Sequence, residues 1–362
     1  MSVGRARPHL AIDIKPLLED HWTGIPVFTR RLAHALLRDG RVELSFTHEL
    51  CQIPSELALS ALAAGSGSYF RDEVERRAGQ WEPPKVKSAI FFPSVKGEIE
   101  WPGRQASTVH DMSTLFMPEN HDDANIAYHL DNFARELATN DVTFCVSEST
   151  RAALESAFPS TAGRTRVVPQ YVDWPDSFAQ MERNAPSLAF GRYAVVVGTV
   201  EPRKNLGLLL RALRTPEIER SPLKFIVIGK KGWLVDQFFA DLTPAQRERV
   251  IFTGFVTEFV KFRLIRNAEF LVYPSVYEGF GIPALEAMSL GKPVLAAMTS
   301  SLPEIIGEAG LYFDPFSVKE FAAAFTEMQN PRKQAELAPH ALAQARRFDA
   351  AAMARPIVDW LE

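Results

Sequence analysis

Cysteine is nearly absent: Cys51 and Cys145 are the only two in 362 residues. Two thiols cannot build a disulfide framework. Each stands beside apolar residues and reads as a small buried hydrophobe, so a reducing compartment is expected. Long apolar runs are missing as well. No uncharged stretch approaches the roughly 18 residues of a membrane-spanning helix. The start, Met1 to Arg7, carries charge without an apolar core before Asp13, so no secretory signal and a cytoplasmic location are expected. Charge of one sign is not in excess. With 40 Lys+Arg against 44 Asp+Glu and a net charge of −4, nucleic acid is not the expected main partner. At 46% hydrophobic and 23% charged residues, disorder is not expected either. Three chemical signatures are lacking: Asp-x-Asp, Gly-x4-Gly-Lys-Ser/Thr, and a hydrolase-type Ser-His-Asp pattern.

What is present is alternation. Short apolar runs predict strands at Leu10–Ile14, Val42–Phe46, Ala89–Phe92, Ser107–Val109, Val142–Val146 and Arg166–Val168. Helix-period segments lie between them, at about Val27–Arg38 (Phe28, Leu32, Ala35, Leu36) and Asp123–Thr139, with Ser147-Glu148-Ser149 capping another. The stretch Pro169–Pro186 holds Pro169, Pro175 and Pro186 with little period and reads as a linker. The alternation then restarts. Strands are expected at Ala194–Gly198, Phe225–Gly229, Ile251–Thr253, Phe270–Tyr273 and Val294–Ala297. Helices are expected at Leu206–Leu213, Pro244–Val250 and Pro283–Leu290, and again from Val318 onward. This βαβα pattern, twice over, predicts an α/β fold of two doubly wound, Rossmann-like domains, with ligands at the carboxyl ends of the strands. The expected division is 1–178, 187–345 and a helical tail over 346–362.

The most informative window runs from Tyr273-Pro274-Ser275 through Glu278-Gly279-Phe280-Gly281-Ile282-Pro283 to Glu286. A strand ends at Pro274, a two-glycine loop follows, and Pro283 suits a first helical turn. The free N–H groups of that helix start would face an anion. Glu278 and Glu286 are suited to accept hydrogen bonds from sugar or ribose hydroxyls, although two solvated glutamates would read the same way. A second segment, Gly198-Thr199-Val200-Glu201-Pro202-Arg203-Lys204-Asn205, puts two cations at a helix start, as a diphosphate would need. Alone, an Arg-Lys pair equally describes a solvated surface.

Glu278-x7-Glu286 resembles the Glu-x7-Glu signature of glycosyltransferase family 4, whose fold is GT-B. The likeness continues through Ser300-Ser301-Leu302-Pro303-Glu304 and Gly310-Leu311-Tyr312-Phe313-Asp314-Pro315. Gly198-Thr199 through Asn205 is similar to the family's phosphate-binding element, with Gly-Thr where many members have Gly-Arg. The resemblance implies that Thr199, Arg203, Lys204 and the Gly279–Ile282 turn take the diphosphate. It also implies that Glu286 takes the ribose, Glu278 the sugar hydroxyls, and Phe255-Val256 the base. In the N-terminal half it implies that His110, in His110-Asp111, faces the donor sugar and that Gly24, in Gly24-Ile25, approaches the phosphates and the acceptor. His110 could instead cap a loop, and Gly24-Ile25 could be a plain helix-start turn.

His121-Asp122-Asp123 lacks a further ligand cluster and reads as a helix-start charge group. Gly229-Lys230-Lys231-Gly232 reads as a strand-end turn.

The implied activity is a retaining, metal-independent hexosyltransferase of a bacterial mannosyltransferase-like branch, with no cofactor. Its donor is a nucleotide-sugar, GDP-mannose first, with a UDP-sugar or deoxysugar nucleotide as alternatives. Its acceptor is an oligosaccharide or lipid-linked chain of surface-polysaccharide or lipopolysaccharide assembly. That acceptor implies contact with the inner face of the membrane, for which Arg30-Arg31 and Trp22-Phe28 are candidates; ordinary surface is the plainer reading. The tail, with Ile357 and Trp360, is expected to pack back on the N-terminal domain. A non-catalytic nucleotide-sugar-binding subunit is the competing class, an epimerase or phosphorylase another. The oligomeric state is left open.

Overall fold

A computed structural model describes residues 7–19, 22, 24–64, 68–77, 89–199, 201–229 and 242–362. The chain divides into two units, one comprising Met1–Tyr171 and Asp349–Glu362, the other Val172–Phe348.

In the first unit β1 (His9–Asp13), β2 (Glu43–His48), β3 (Cys51–Ile53), β4 (Ala89–Phe92), β5 (Gln105–Val109), β6 (Val142–Cys145) and β7 (Thr165–Val167) form one sheet in the order β3-β2-β1-β4-β5-β6-β7. All neighbours are parallel except β2 and β3. Continuous burial of β4, β5 and β6 is what a parallel sheet covered on both faces requires. The order reverses between β1 and β4, so the carboxyl ends of these two strands flank a switch point.

In the second unit β8 (Tyr193–Val197), β9 (Lys224–Ile228), β10 (Val250–Gly254), β11 (Leu271–Tyr273), β12 (Val294–Ala297) and β13 (Gly310–Phe313) form an all-parallel sheet. Its order is β10-β9-β8-β11-β12-β13, with the switch point between β8 and β11. Both halves are therefore doubly wound, as the alternation predicts.

The helix Ile25–Asp39 buries Phe28, Leu32, Ala35 and Leu36, the stripe read from the sequence. It packs on the last helix, Ala350–Leu361, which belongs to the first unit. Trp360 and Leu361 lie against the sheet there: Trp360 meets Phe144 edge-on at 6.0 Å, and Arg104 donates to the carbonyls of both residues. The tail thus returns to the N-terminal fold.

Several expectations need correction. The Pro169–Pro186 stretch is no bare linker: Asp176–Asn184 is a helix of the second unit. Phe178 meets Phe259 and Phe262 edge-on, and Glu182 pairs with Arg263, because Trp174 and Phe178 supply an apolar face that the prolines obscure. The unit boundaries fall at 171/172 and 348/349 rather than at 178/187 and 345/346. The helix expected over Asp123–Thr139 is two, Asp123–Leu130 and Phe133–Thr139. Cys51 is half-exposed rather than buried. Phe28 is fully buried and Arg31 is 5% exposed, so neither is a membrane contact; Arg30 lies over the Trp22 ring. Among the described residues no helix is long and apolar enough to cross a membrane.

Candidate active site

The carboxyl ends of β8 and β11 lie side by side, and the two segments expected to carry chemistry leave from them. They are laced together. The Val276 N–H donates to the Arg203 carbonyl at 2.9 Å, and Arg203 Nη1 donates to the Tyr277 carbonyl at 2.8 Å. Asn205 Nδ2 donates to the carbonyls of Pro274 (3.1 Å) and Pro315 (2.8 Å). Asn205 itself sits at φ 52°, a left-handed conformation that asparagine tolerates better than most residues. Its place in the motif is thus structural.

This lacing brings both cations onto one carboxylate. Lys204 Nζ is 2.6 Å from Glu278 Oε1, and Arg203 Nη1 is 3.2 Å from Oε2. Arg203 Nη2 also reaches Glu201 at 2.9 Å, and Lys204 lies over the Tyr273 ring at 5.6 Å. Glu278 is 7% exposed. Burial by itself raises a carboxyl pKa, but Lys204 and then Arg203 overcome it and hold Glu278 down to about 2. The glutamate is ionised throughout the neutral range. Burial and the two glutamates, Glu278 ahead of Glu286, push the Tyr273 phenol far up, so it stays protonated.

The loop that carries Glu278 is held from its far side. Its N–H donates to Ser300 Oγ at 2.8 Å, and Ser301 Oγ lies 2.9 Å from the carbonyls of both Glu278 and Phe280. Gly281 begins the helix Ile282–Ser289 at φ 105°, where a Cβ would meet Leu302 Cδ2 at 3.0 Å. Glycine is required for that turn to close and present its N–H groups. At the end of β9, Gly229 answers a closer approach: a Cβ there would fall 2.2 Å from the Gly198 carbonyl oxygen.

Arg203, Lys204 and Glu278 converge, and Gly279 and Gly281 are buried on the same loop. Thr199 is exposed after β8, and Ile282 is half-buried at the helix start. Phe280 departs from expectation. It is 3% exposed and packs edge-on against Phe348 at 5.5 Å, so only its backbone can serve a ligand. Phe255, 53% exposed, and Val256 follow β10, two strands from β8. Glu286 does not join the Glu278 cluster; it pairs with Lys261 Nζ at 2.7 Å. Sequence reading missed Lys261, because only tertiary packing brings its helix, Glu258–Asn267, to Glu286.

In the first unit, His110 follows β5. One ring nitrogen, Nε2, is 2.7 Å from the carbonyl of Pro93, which follows β4, and the ring meets Phe28 edge-on at 4.8 Å. Burial holds the imidazole down to about 4, so it is neutral at pH 7. A carbonyl only accepts, so Nε2 carries the hydrogen and Nδ1 is the acceptor. Asp111 is turned to Ser113, accepting from its N–H (2.8 Å) and its Oγ (2.6 Å). Gly24 is exposed at φ 46°, immediately before the helix Ile25–Asp39. Asp122 caps its helix by accepting from the Asn125 N–H at 2.8 Å. Among the described residues no group of three His, Cys, Asp or Glu is placed to hold a metal ion. Val200 and Lys230–Gly232 lie outside the described residues.

Residues 191–330 match the family model described as glycosyl transferases group 1, a span that includes every site residue named in the second unit. The chain is 33% identical over 253 residues to O-antigen chain mannosyltransferase B of Escherichia coli, covering 68% of this chain and 66% of that one. The chain belongs to the group 1 glycosyltransferases. Serotype-specific mannosyltransferase WbdA of Escherichia coli is 27% identical over 261 residues, covering 68% of this chain and 32% of that one. This group 1 chain thus spans about two thirds of one curated relative and a third of the other. Among solved structures, sucrose-phosphate synthase from Thermosynechococcus elongatus superposes with a TM-score of 0.68 at 18% identity, covering 98% of each chain. The fold is GT-B.

Proposed function

We propose that this group 1 glycosyltransferase moves mannose from GDP-mannose to an oligosaccharide or lipid-linked acceptor in surface-polysaccharide assembly. The transfer retains the anomeric configuration, needs no metal ion, and takes place at the cytoplasmic side of the membrane. Mannose is supported by the relatives that are named O-antigen and serotype-specific mannosyltransferases. The observation that carries the reaction class is the convergence of Lys204 and Arg203 on the ionised Glu278 at the switch point of the second sheet.

In the reaction the bond from the anomeric carbon to the β-phosphate oxygen breaks and a bond to the acceptor oxygen forms on the same face. The acceptor's hydroxyl proton leaves with the departing phosphate. Negative charge therefore grows on the diphosphate, and fixed positive groups stabilise it. Lys204 has three donors, of which Glu278 takes one among the described residues, so it can turn another to phosphate. Arg203, whose guanidinium is held by Tyr277, Glu278 and Glu201, contributes fixed positive charge, and the Gly281 turn its N–H groups. These groups do the work that a divalent ion does elsewhere. Glu278, fixed by the cations, accepts from sugar hydroxyls, and Glu286 accepts from the ribose. Neutral His110 offers Nδ1 to a sugar hydroxyl. Phe255 and Val256 pack the base, and Thr199 lines the phosphates.

The test is turnover. Purified protein with a mannose-terminated oligosaccharide is offered GDP-mannose, UDP-hexoses and deoxysugar nucleotides, and nucleoside diphosphate release is followed. GDP-mannose should turn over fastest, and NMR of the product should show the donor's anomeric configuration. Binding without turnover across the panel would make the chain a recognition subunit; an inverted product would refute the retaining step.

A further inference from the structure

Glu286 is gripped from one side only. Lys261 Nζ lies 2.7 Å from Glu286 Oε1 and 2.9 Å from Glu258 Oε1, and 5.5 Å from the centroid of the Trp174 ring. The Lys261 and Glu286 side chains are 18% and 3% exposed. Trp174 does more than cover the lysine. Its Nε1 donates to Ser289 Oγ at 2.9 Å, and Ser289 Oγ donates to the Glu286 carbonyl at 2.8 Å. One indole therefore backs the cation and ties down the helical turn that carries the carboxylate. Among the described residues, Oε2 of Glu286 takes no hydrogen bond or ion pair. Burial pulls the Lys261 amine pKa down, but Glu286 and Glu258 outweigh it and raise the value, so the lysine is a standing cation.

A buried carboxylate is costly unless an opposite charge and hydrogen bonds meet it, and Lys261 supplies both to Glu286. With Oε1 pinned, rotation of the carboxylate is also blocked, and its free oxygen has one direction. We propose that Lys261 is a positioning residue for the donor: it fixes Oε1 of Glu286 so that Oε2 accepts a ribose hydroxyl of the nucleotide, with Trp174 as its support. This rests on the reading of Glu286 as the ribose-binding carboxylate.

The test titrates GDP and UDP into the full chain by calorimetry and measures KM and kcat for whichever donor turns over. Lys261→Met should weaken nucleoside diphosphate binding and raise KM by roughly ten- to a hundredfold, the worth of a hydrogen bond to a charged group. Because the lysine does not touch the transferring group, kcat should stay within about threefold. Lys261→Arg should recover most of the affinity. Glu286→Gln should weaken binding comparably, and adding Lys261→Met to it should cost nothing more. That double variant leaves no unpaired buried charge, so it also guards against misfolding. Lys261→Met binding like wild type while Glu286→Gln is weakened would overturn the role of the lysine. Losses that multiply in the double variant would do the same, since the lysine would then act on its own. If Glu286→Gln bound like wild type, the ribose reading itself would fall.

Discussion

Replacing Lys204 by Met tests the cation pair from two directions. The methionine keeps the length of the stem and removes the charge 2.6 Å from Glu278. A carboxyl held from 4.5 down to about 2 corresponds to roughly 3 kcal/mol of favourable interaction with its surroundings. Lys204 is closer than Arg203, at 2.6 against 3.2 Å, so about 2 kcal/mol is assigned to it. In a unit of this size that is a fall in Tm of about 4–8 °C at pH 7. The pH dependence should change too. Glu278 is depressed in the folded state, so its contribution is complete above about pH 4.5 and drains away as pH falls toward 2. Calorimetry should therefore show the variant's deficit at pH 7 shrinking as the pH is lowered through that window. Catalysis should suffer separately. Loss of one preorganised donor costs about 2.7–4 kcal/mol of barrier, or roughly a hundred- to a thousandfold in kcat. A variant with kcat within threefold of wild type would refute the catalytic role. A Tm deficit that does not depend on pH would refute the electrostatic account of Glu278.

Two further outcomes are expected. Asn205→Ala loses two amide hydrogen bonds and puts a Cβ residue at φ 52° without a stabilising side chain, which should cost about 3 kcal/mol in denaturant melts. Asn205→Gly relieves the backbone and should cost about 2 kcal/mol; equal losses would show that conformation is irrelevant there. The His110 ring should titrate near pH 4 in NMR spectra and report the Nε2–H tautomer at pH 7; a midpoint near 6.5 would contradict its burial against Phe28 and Pro93.

Much of the architecture was legible because the central parallel strands β4, β5, β6, β8, β11 and β12, buried on both faces, leave continuous apolar runs; β3 and the edge strand β13, half-buried along most of its length, gave no such run. What escaped has identifiable causes. The β2–β3 hairpin turns through Glu49 and Leu50 at φ 49° and 64°, conformations usually signalled by glycine or asparagine, so no turn was visible. The helix Asp176–Asn184 was hidden by flanking prolines, and its reason to fold, the packing of Phe178 on Phe259 and Phe262, lies about 80 residues away. Within the site, Arg203, Lys204 and Glu278 could be named from their motifs, whereas their mutual pairing could not. Ser300 and Ser301 stood in a recognised stretch, yet that they brace the Glu278 loop emerges only in three dimensions. The Gly279–Ile282 turn could be named as the diphosphate element, whereas the burial of the Phe280 ring in the core against Phe348 emerges only from the packing.

The proposed reaction has two protein cations, not a metal ion, stabilise the departing diphosphate. The decisive measurement is the rate of GDP release from GDP-mannose in EDTA, for the wild type and for the Arg203→Ala/Lys204→Ala double variant. The wild type should keep an undiminished rate, and the variant should lose at least about a thousandfold. A wild type silenced by EDTA and revived by Mg²⁺, or a double variant that keeps its rate, would contradict it.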